Sequence, residues 1–173
     1  NAIAIAEGAS GAPVVVGGVY QSELATTSGT SLSLGSSLPS TLRRIEIMLL
    51  GVSTNGSSPL TIQIGDSGGL ETSGYIGSRV REPAGSAVDL SLGFTLSDVG
   101  ASTVLRGMLI LILEDEATNT WVAMGMVAHP GGATLSAVTG SKSLSATLDR
   151  ISITTENGTD TFDAGLIRMR GYP

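Results

Sequence analysis

Hydrophobic and polar positions alternate along most of the chain with a period of two. In residues 41–52, Ile45, Ile47 and Leu49 share one face, whereas Arg44 and Glu46 lie on the other. The same alternation returns in residues 60–65, 88–96, 143–155 and 161–172. Such a pattern is typical of β-strands that bury one face, and no long stretch shows the 3.6-residue period of a helix. We therefore predict an all-β protein, an antiparallel β-sandwich of jelly-roll-like type.

Turn-forming residues separate the predicted strands. Asn-Gly occurs at residues 55–56 and again at 157–158, and this dipeptide favours hairpin bends because both residues accept positive φ. Residues 115–120 link two further strands, and the Pro-Gly-Gly stretch at 130–132 interrupts another.

Two of the predicted strands are apolar on both faces. Residues 104–113 and 120–128 place large hydrophobic side chains at odd and even positions alike. A sandwich normally exposes one face of each sheet to water. These strands therefore need a second cover, which is either a loop of the same chain or a neighbouring subunit.

The first forty residues differ from the remainder. Residues 1–18 are rich in Ala, Gly and Val, and residues 19–40 are polar and almost uncharged. We predict that residues 1–37 form an extended arm, stem or linker and that residues 38–173 form the β-sandwich domain.

The composition and net charge argue against two kinds of partner, nucleic acids and membranes. The 173 residues carry a formal net charge of -6 and no cysteine. An acidic chain repels the phosphate backbone, so we predict no nucleic-acid binding. The longest strongly apolar run, residues 108–113, is far shorter than the roughly 20 residues of a membrane span, so no membrane insertion is predicted.

The pentapeptide Gly-Asp-Ser-Gly-Gly at residues 65–69 also surrounds the nucleophile of trypsin-like proteases. That chemistry needs a histidine and an orienting carboxylate. The single histidine, His129, follows Ser67, whereas the chymotrypsin class runs His, Asp, Ser. We predict that the chain is not an enzyme, that Asp66 caps a turn in which Gly68 and Gly69 take positive φ, and that His129 lies in a surface loop.

Other candidate sites are few. The acidic residues 114–116 lack the spacing of a calcium loop, and no metal ligands, catalytic residues or cofactor are predicted. Trp121 is expected in the core or at an interface, which leaves Tyr75 as the more exposed aromatic for stacking on a sugar. Arg79 is expected to pair with carboxylates between subunits or to grip an acidic glycan. The candidate ligand-binding residues are thus Asp66, Ser67, Tyr75 and Arg79.

Three stretches, residues 38–75, 105–125 and 140–172, resemble the C-terminal domains of tailed-bacteriophage tail-fibre and related appendage proteins. The resemblance implies a virion structural protein, a homotrimer, that serves as a fibre or spike tip binding a host-surface polysaccharide. Residues 1–37 would then contact other virion proteins. The alternative is a capsid decoration subunit that binds no receptor. Residues 76–99 and the basic C-terminal residues depart from the resemblance.

Overall fold

The computed structural model describes residues 14–16, 18–83, 85–97, 100–101, 103–130 and 134–173. Within these residues fourteen strands form two antiparallel sheets. The strands are β1 (Val14–Val16), β2 (Val19–Ala25), β3 (Ser31–Gly35), β4 (Arg44–Thr54), β5 (Leu60–Asp66), β6 (Gly69–Leu70), β7 (Ile76–Glu82), β8 (Ala87–Asp89), β9 (Phe94–Ser97), β10 (Leu105–Asp115), β11 (Thr120–His129), β12 (Thr134–Ser143), β13 (Arg150–Thr155) and β14 (Phe162–Tyr172).

The larger sheet has nine strands in the order β1-β2-β14-β4-β10-β11-β12-β7-β8. The smaller sheet has the order β3-β13-β5-β6, and β9 pairs with β5. All pairings among the described strands are antiparallel, and the strand order brings together strands that lie far apart in sequence. The C-terminal strand β14, for example, lies between β2 and β4.

One hydrophobic core lies between the sheets. Alternate residues of β4, β10 and β11 point into it from the large sheet, and Ile62, Ile64, Phe94 and Ile153 point into it from the small sheet. The core positions Ile45, Ile47, Leu109 and Leu111 have no exposed surface. Because both sheets bury one face in this shared core, the predicted all-β sandwich is confirmed.

Both Asn-Gly stretches lie between strands as predicted, but neither is a hairpin bend, because residues 55–59 connect β4 of the large sheet to β5 of the small sheet and residues 156–161 connect β13 of the small sheet to β14 of the large sheet. The two glycines serve different purposes. Gly158 takes φ +68 as predicted for an Asn-Gly bend. Gly56 is not among the positive-φ residues. A Cβ at Gly56 would lie 2.0 Å from the Asp160 carboxylate, so this glycine provides room for a neighbouring loop.

The N-terminal region differs from the arm predicted for residues 1–37. Strand β2 pairs with β14 in the large sheet, and β3 pairs with β13 in the small sheet. Residues 19–35 are therefore part of the sandwich, and the predicted domain boundary at residue 38 lies too late. The part of the predicted arm before β1 lies outside the described residues.

Two predicted strands are also divided. Residues 88–96 form β8 in the large sheet and β9 in the small sheet, because the chain crosses between the sheets near Gly93. A Cβ at Gly93 would lie 2.6 Å from the Ile62 carbonyl oxygen. Residues 144–149 form no strand, although Leu144 and Leu148 are buried.

Candidate interaction surface

The Gly-Asp-Ser-Gly-Gly stretch is the turn of the β5–β6 hairpin. Asp66 Oδ1 accepts a hydrogen bond of 2.7 Å from the Gly68 amide, and Asp66 pairs with Gly69 in the ladder. A Cβ at Gly65 would lie 2.0 Å from the Gly69 carbonyl oxygen. The predicted cap is confirmed, but of Gly68 and Gly69 only Gly69 has a positive φ. Ser67 is exposed at the tip.

Tyr75 does not offer an exposed ring. It is 5% exposed, and its ring packs edge-to-face on Phe94 with centroids 5.0 Å apart. Its hydroxyl accepts a 2.9 Å hydrogen bond from the Ile64 amide and donates one of 2.9 Å to the Glu71 carbonyl. Burial raises the pKa of Tyr75 to about 12, with a smaller opposing effect of the Ile64 hydrogen bond. The prediction that Tyr75 stacks on a ligand from an exposed loop is therefore wrong.

Arg79 is also buried, at 7% exposure, and it faces inward from β7. On β12, Lys142 is buried and forms an ion pair with Glu71, and its Nζ donates to the Ser143 carbonyl at 2.8 Å. Burial would raise the pKa of Glu71, but hydrogen bonds from Lys142 and Ser145 and the Lys142 charge lower it. Of the four candidate ligand-binding residues, Ser67 alone is exposed, and the four do not form one open site.

His129 is buried rather than in a surface loop. Its Nε2 lies 2.6 Å from Ser97 Oγ, which in turn lies 2.9 Å from Ser136 Oγ. Ser97 has no exposed surface. Because this hydroxyl is buried, the serine–histidine contact is part of the interior where β9 meets β11 and β12. His129 is far along the chain from Ser67 and is hydrogen-bonded to a different serine.

The solvent side of the nine-stranded sheet is apolar at its centre. On β10, Met108, Ile110 and Ile112 point outward; on β11, Val122, Met124 and Met126 do so. Met124 and Met126 are 56% and 54% exposed. Together with Met48 on β4 we call these seven residues the methionine face. Four of the five methionines of the chain lie on it, and the fifth, Met169, is in the core.

Register places these side chains in straight rows across the sheet. Met48, Met108 and Met126 lie side by side on adjacent strands, and the row continues to Ala137 and Val80. A second row contains Ile110 and Met124, and a third contains Ile112 and Val122. The side chains around Met108, Met124 and Met126 enclose a shallow, mainly apolar recess of about 520 Å³. Exposed apolar surface of this extent marks interaction sites in soluble proteins.

Charged residues flank the methionine face, and Arg106 on β10 and the Arg44–Glu46 ion pair on β4 lie on the same side of the sheet. Arg168 and Arg170 on β14 form a basic flank, and Glu82 on β7 with Asp89 on β8 form an acidic flank. Arg168 contacts Glu23 on the neighbouring strand at 2.5 Å. Arg170, Glu82 and Asp89 are exposed and have no ion-pair partner within the described part of the chain.

A second surface lies at one end of the sandwich, where two polar loops meet. We call these loops, residues 55–59 and 156–161, the asparagine loops. Asn55 Oδ1 accepts a hydrogen bond from the Thr161 amide at 2.8 Å, and Asp160 accepts from the Ser58 amide at 2.9 Å and from Asn157 Nδ2 at 2.7 Å. These contacts hold the loops against each other and leave an ordered polar surface.

Two negative findings apply to the described residues. Their His, Asp and Glu side chains form no group of three or more that suits a metal ion. In the same part of the chain, no helix has the length and apolarity that a membrane crossing requires.

The fold and this surface define an antiparallel β-sandwich with an uncovered apolar face. No family model matches the chain, and no curated protein matches it. Among solved structures, a human SPRY domain has 10% sequence identity, with 91% of this chain and 93% of that chain covered and a TM-score of 0.33. A similarity at this level carries no argument about function.

Proposed function

We propose that this chain is a structural subunit of a tailed-bacteriophage virion, a fibre or spike module that works as a homo-oligomer. The resemblance of residues 38–75, 105–125 and 140–172 supplies the virion context. The observation that carries the assembly role is the methionine face, because side chains such as Met124 and Met126 are more than half exposed in the single chain. Contact with further copies or with other virion proteins removes this surface from water.

The location in the virion is tested by antibody labelling of purified particles in electron micrographs. Labelling at the fibre or spike tip is the expected result, whereas labelling over the head lattice favours the capsid decoration subunit. Particles that carry no label, tested with an antibody that recognises the folded chain, contradict both virion roles.

Host-surface binding, the second element of this proposal, is supported by the asparagine loops. Loops held rigid on a sandwich are common recognition elements, and amide and carboxylate groups suit the hydroxyls of a polysaccharide. Tyr75 and Arg79 contribute no exposed group to such a site. Under this proposal the chain has no catalytic activity.

Inhibition of phage adsorption by the purified chain tests host binding. We expect Asn157→Ala to weaken inhibition, because it removes the hydrogen bond to Asp160 that orders the loops. Thr118→Ala is a matched control, because it removes a hydrogen bond to Asp115 in the β10–β11 hairpin at the opposite end of the sandwich. Equal inhibition by both variants, or no inhibition by the parent chain at high micromolar concentration, contradicts a binding role for the asparagine loops.

A further inference from the structure

We propose that the methionine face packs against the same face of a second copy, about a two-fold axis that runs parallel to the strands between β10 and β11. This inference deepens the proposed function and rests on its homo-oligomer. It names the contact surface, the symmetry and the residues that set the register of two subunits.

The first argument is the area of the face. From β14 to β7 the outer side of the large sheet spans six strands, which at about 4.8 Å per strand is roughly 29 Å. Four rows of outward residues span about 20 Å along the strands. Face-to-face stacking therefore covers roughly 600 Å² of each copy, at the lower end of the ~800 ± 200 Å² per partner that a stable interface buries.

The second argument concerns charge. Two two-fold axes can lie in the plane between the stacked sheets, and only the axis parallel to the strands brings flanks of opposite charge together. The axis between β10 and β11 has β14 and β7 at equal distances on either side. Rotation about an axis along the strands places the basic flank of one copy over the acidic flank of the other. Rotation about an axis across the strands instead places each flank over itself and opposes like charges, which costs free energy.

Register aligns the charged side chains within reach of each other. Arg170, Ser78 and Asp89 belong to the same row of the outer face, in which Glu46 is the cross-strand neighbour of Arg170. In the two-fold stack, Arg170 of one copy lies above Ser78 of the second copy, one strand from its Asp89. Sheets pack about 10 Å apart, a distance that an arginine and an aspartate side chain together cross.

A three-fold arrangement fits the face less well. Three flat sheets, each roughly 30 Å wide, form a triangle in which each sheet lies about 9 Å from the three-fold axis. In stacked sheets, by contrast, the side chains of one sheet reach only about 5 Å before they meet those of the other. The centre of each face would then remain uncovered, and the centre holds Met124 and Met126, among its most exposed side chains. The homotrimer that the resemblance implies therefore uses this face poorly.

Mass measured by light scattering on the 173-residue chain tests the contact. The expected mass is twice the 17.4 kDa of one chain. Met126→Lys is expected to give the single-chain mass at the same concentration with an unchanged far-ultraviolet circular dichroism spectrum, because it buries a charge at the centre of the contact. Leu70→Lys is the control: Leu70 is 37% exposed but lies on the smaller sheet, and its variant should keep the parent mass.

Mixing two charge-reversal variants tests the symmetry and does not depend on how Met126→Lys folds. Arg170→Glu and Asp89→Arg alone each place like charges opposite one another and should weaken self-association at least roughly tenfold. An equimolar mixture should restore the paired mass, because both contacts in the mixed pair then join opposite charges. A ring of three cannot alternate two variants, so a trimer is not restored by mixing.

The outcomes separate this inference from the proposed function. A single-chain mass for the parent at about 100 µM, or a parent mass for Met126→Lys, overturns the face-to-face contact. A three-chain mass, or no recovery on mixing, overturns the two-fold axis and leaves the virion role standing. A paired mass for a chain that labels no virion supports the contact and contradicts the virion role.

Discussion

The hydroxyl of Tyr75 offers a sharp test of what holds the loop after the β5–β6 hairpin to the core. Tyr75→Phe keeps the ring on Phe94 and removes one oxygen. That oxygen accepts a hydrogen bond from the Ile64 amide at 2.9 Å and donates one to the Glu71 carbonyl at 2.9 Å. The Ile64 amide lies in the interior, so the substitution leaves a buried donor without its partner.

The magnitude follows from the cost of such a donor, about 1–3 kcal/mol in the free energy of unfolding. For a chain of this length, that cost corresponds to a fall in Tm of about 2–12 °C, at roughly 2–4 °C per kcal/mol. Tyr20→Phe is the matched control. The Tyr20 hydroxyl is also buried, and it has no hydrogen-bond partner among the described residues, so its removal should leave stability unchanged or raise it.

Urea unfolding at one fixed protein concentration measures both variants, with the fluorescence of the single tryptophan, Trp121, as the probe. We expect Tyr75→Phe to lower the midpoint at an unchanged m-value, and Tyr20→Phe not to lower it. Equal losses in the two variants would refute the reasoning, because the effect would then belong to any buried tyrosine hydroxyl and not to the Ile64 contact.

Two further predictions concern pH and backbone conformation. Because the folded pKa of Tyr75 is about 12 and its ordinary value is 10.0, the contribution of this group is complete below pH 10. About 2–3 kcal/mol is lost as pH rises from about 10 to 12; Tyr75→Phe should flatten that decline in urea titrations, and an unchanged decline contradicts the assignment. Gly165→Ala should cost about 2–5 kcal/mol, because φ is +94 and the added Cβ would lie 2.3 Å from the Gly51 carbonyl oxygen. Gly158→Ala, at φ +68 with open space around it, should cost only about 1–2 kcal/mol; similar melting temperatures for the two variants would show that the overlap is relieved.

The two-residue period predicted the core of the long strands well. It placed Ile45, Ile47 and Leu49 on one face, and all three are buried. The period works there because one side of each strand meets the second sheet and the other side meets water. It failed in residues 88–96, where alternation continues without a break although the chain changes sheets. Local pattern does not encode which sheet a strand joins.

The sequence pattern of strands β2 and β3 was too weak to predict them as strands of the sandwich. They are polar and nearly uncharged, and each contributes few buried side chains, such as Tyr20 and Leu34. What fixes them in the sandwich is backbone pairing with β14 and β13. Those partners lie more than a hundred residues away in sequence, so a reading of local composition could not find them.

The candidate site residues differ in the same way, because the sequence pattern could have predicted the position of one but not of the other. His129 shares its parity with Trp121, Ala123 and Val127, and extending the alternation of β11 by one step would have placed it inside. Tyr75 had no such signal. Its position depends on the loop after the turn folding back over Phe94, which is a tertiary contact that sequence spacing does not reveal.

The apolar pattern on both faces of β10 and β11 indicated more about function than the Gly-Asp-Ser-Gly-Gly motif that the chain shares with trypsin-like proteases. This pattern predicted that both faces of the two strands are covered, and it left open what covers them. The structure supplies one cover, the small sheet, and leaves the methionine face exposed while charges of opposite sign stand at its two margins. Of the charged side chains on this side of the sheet, Arg106 lies on β10, whereas Arg168, Arg170, Glu82 and Asp89 lie toward the edges. In the two-fold contact that we propose, the edge charges favour one orientation of a second copy and the apolar side chains supply the affinity.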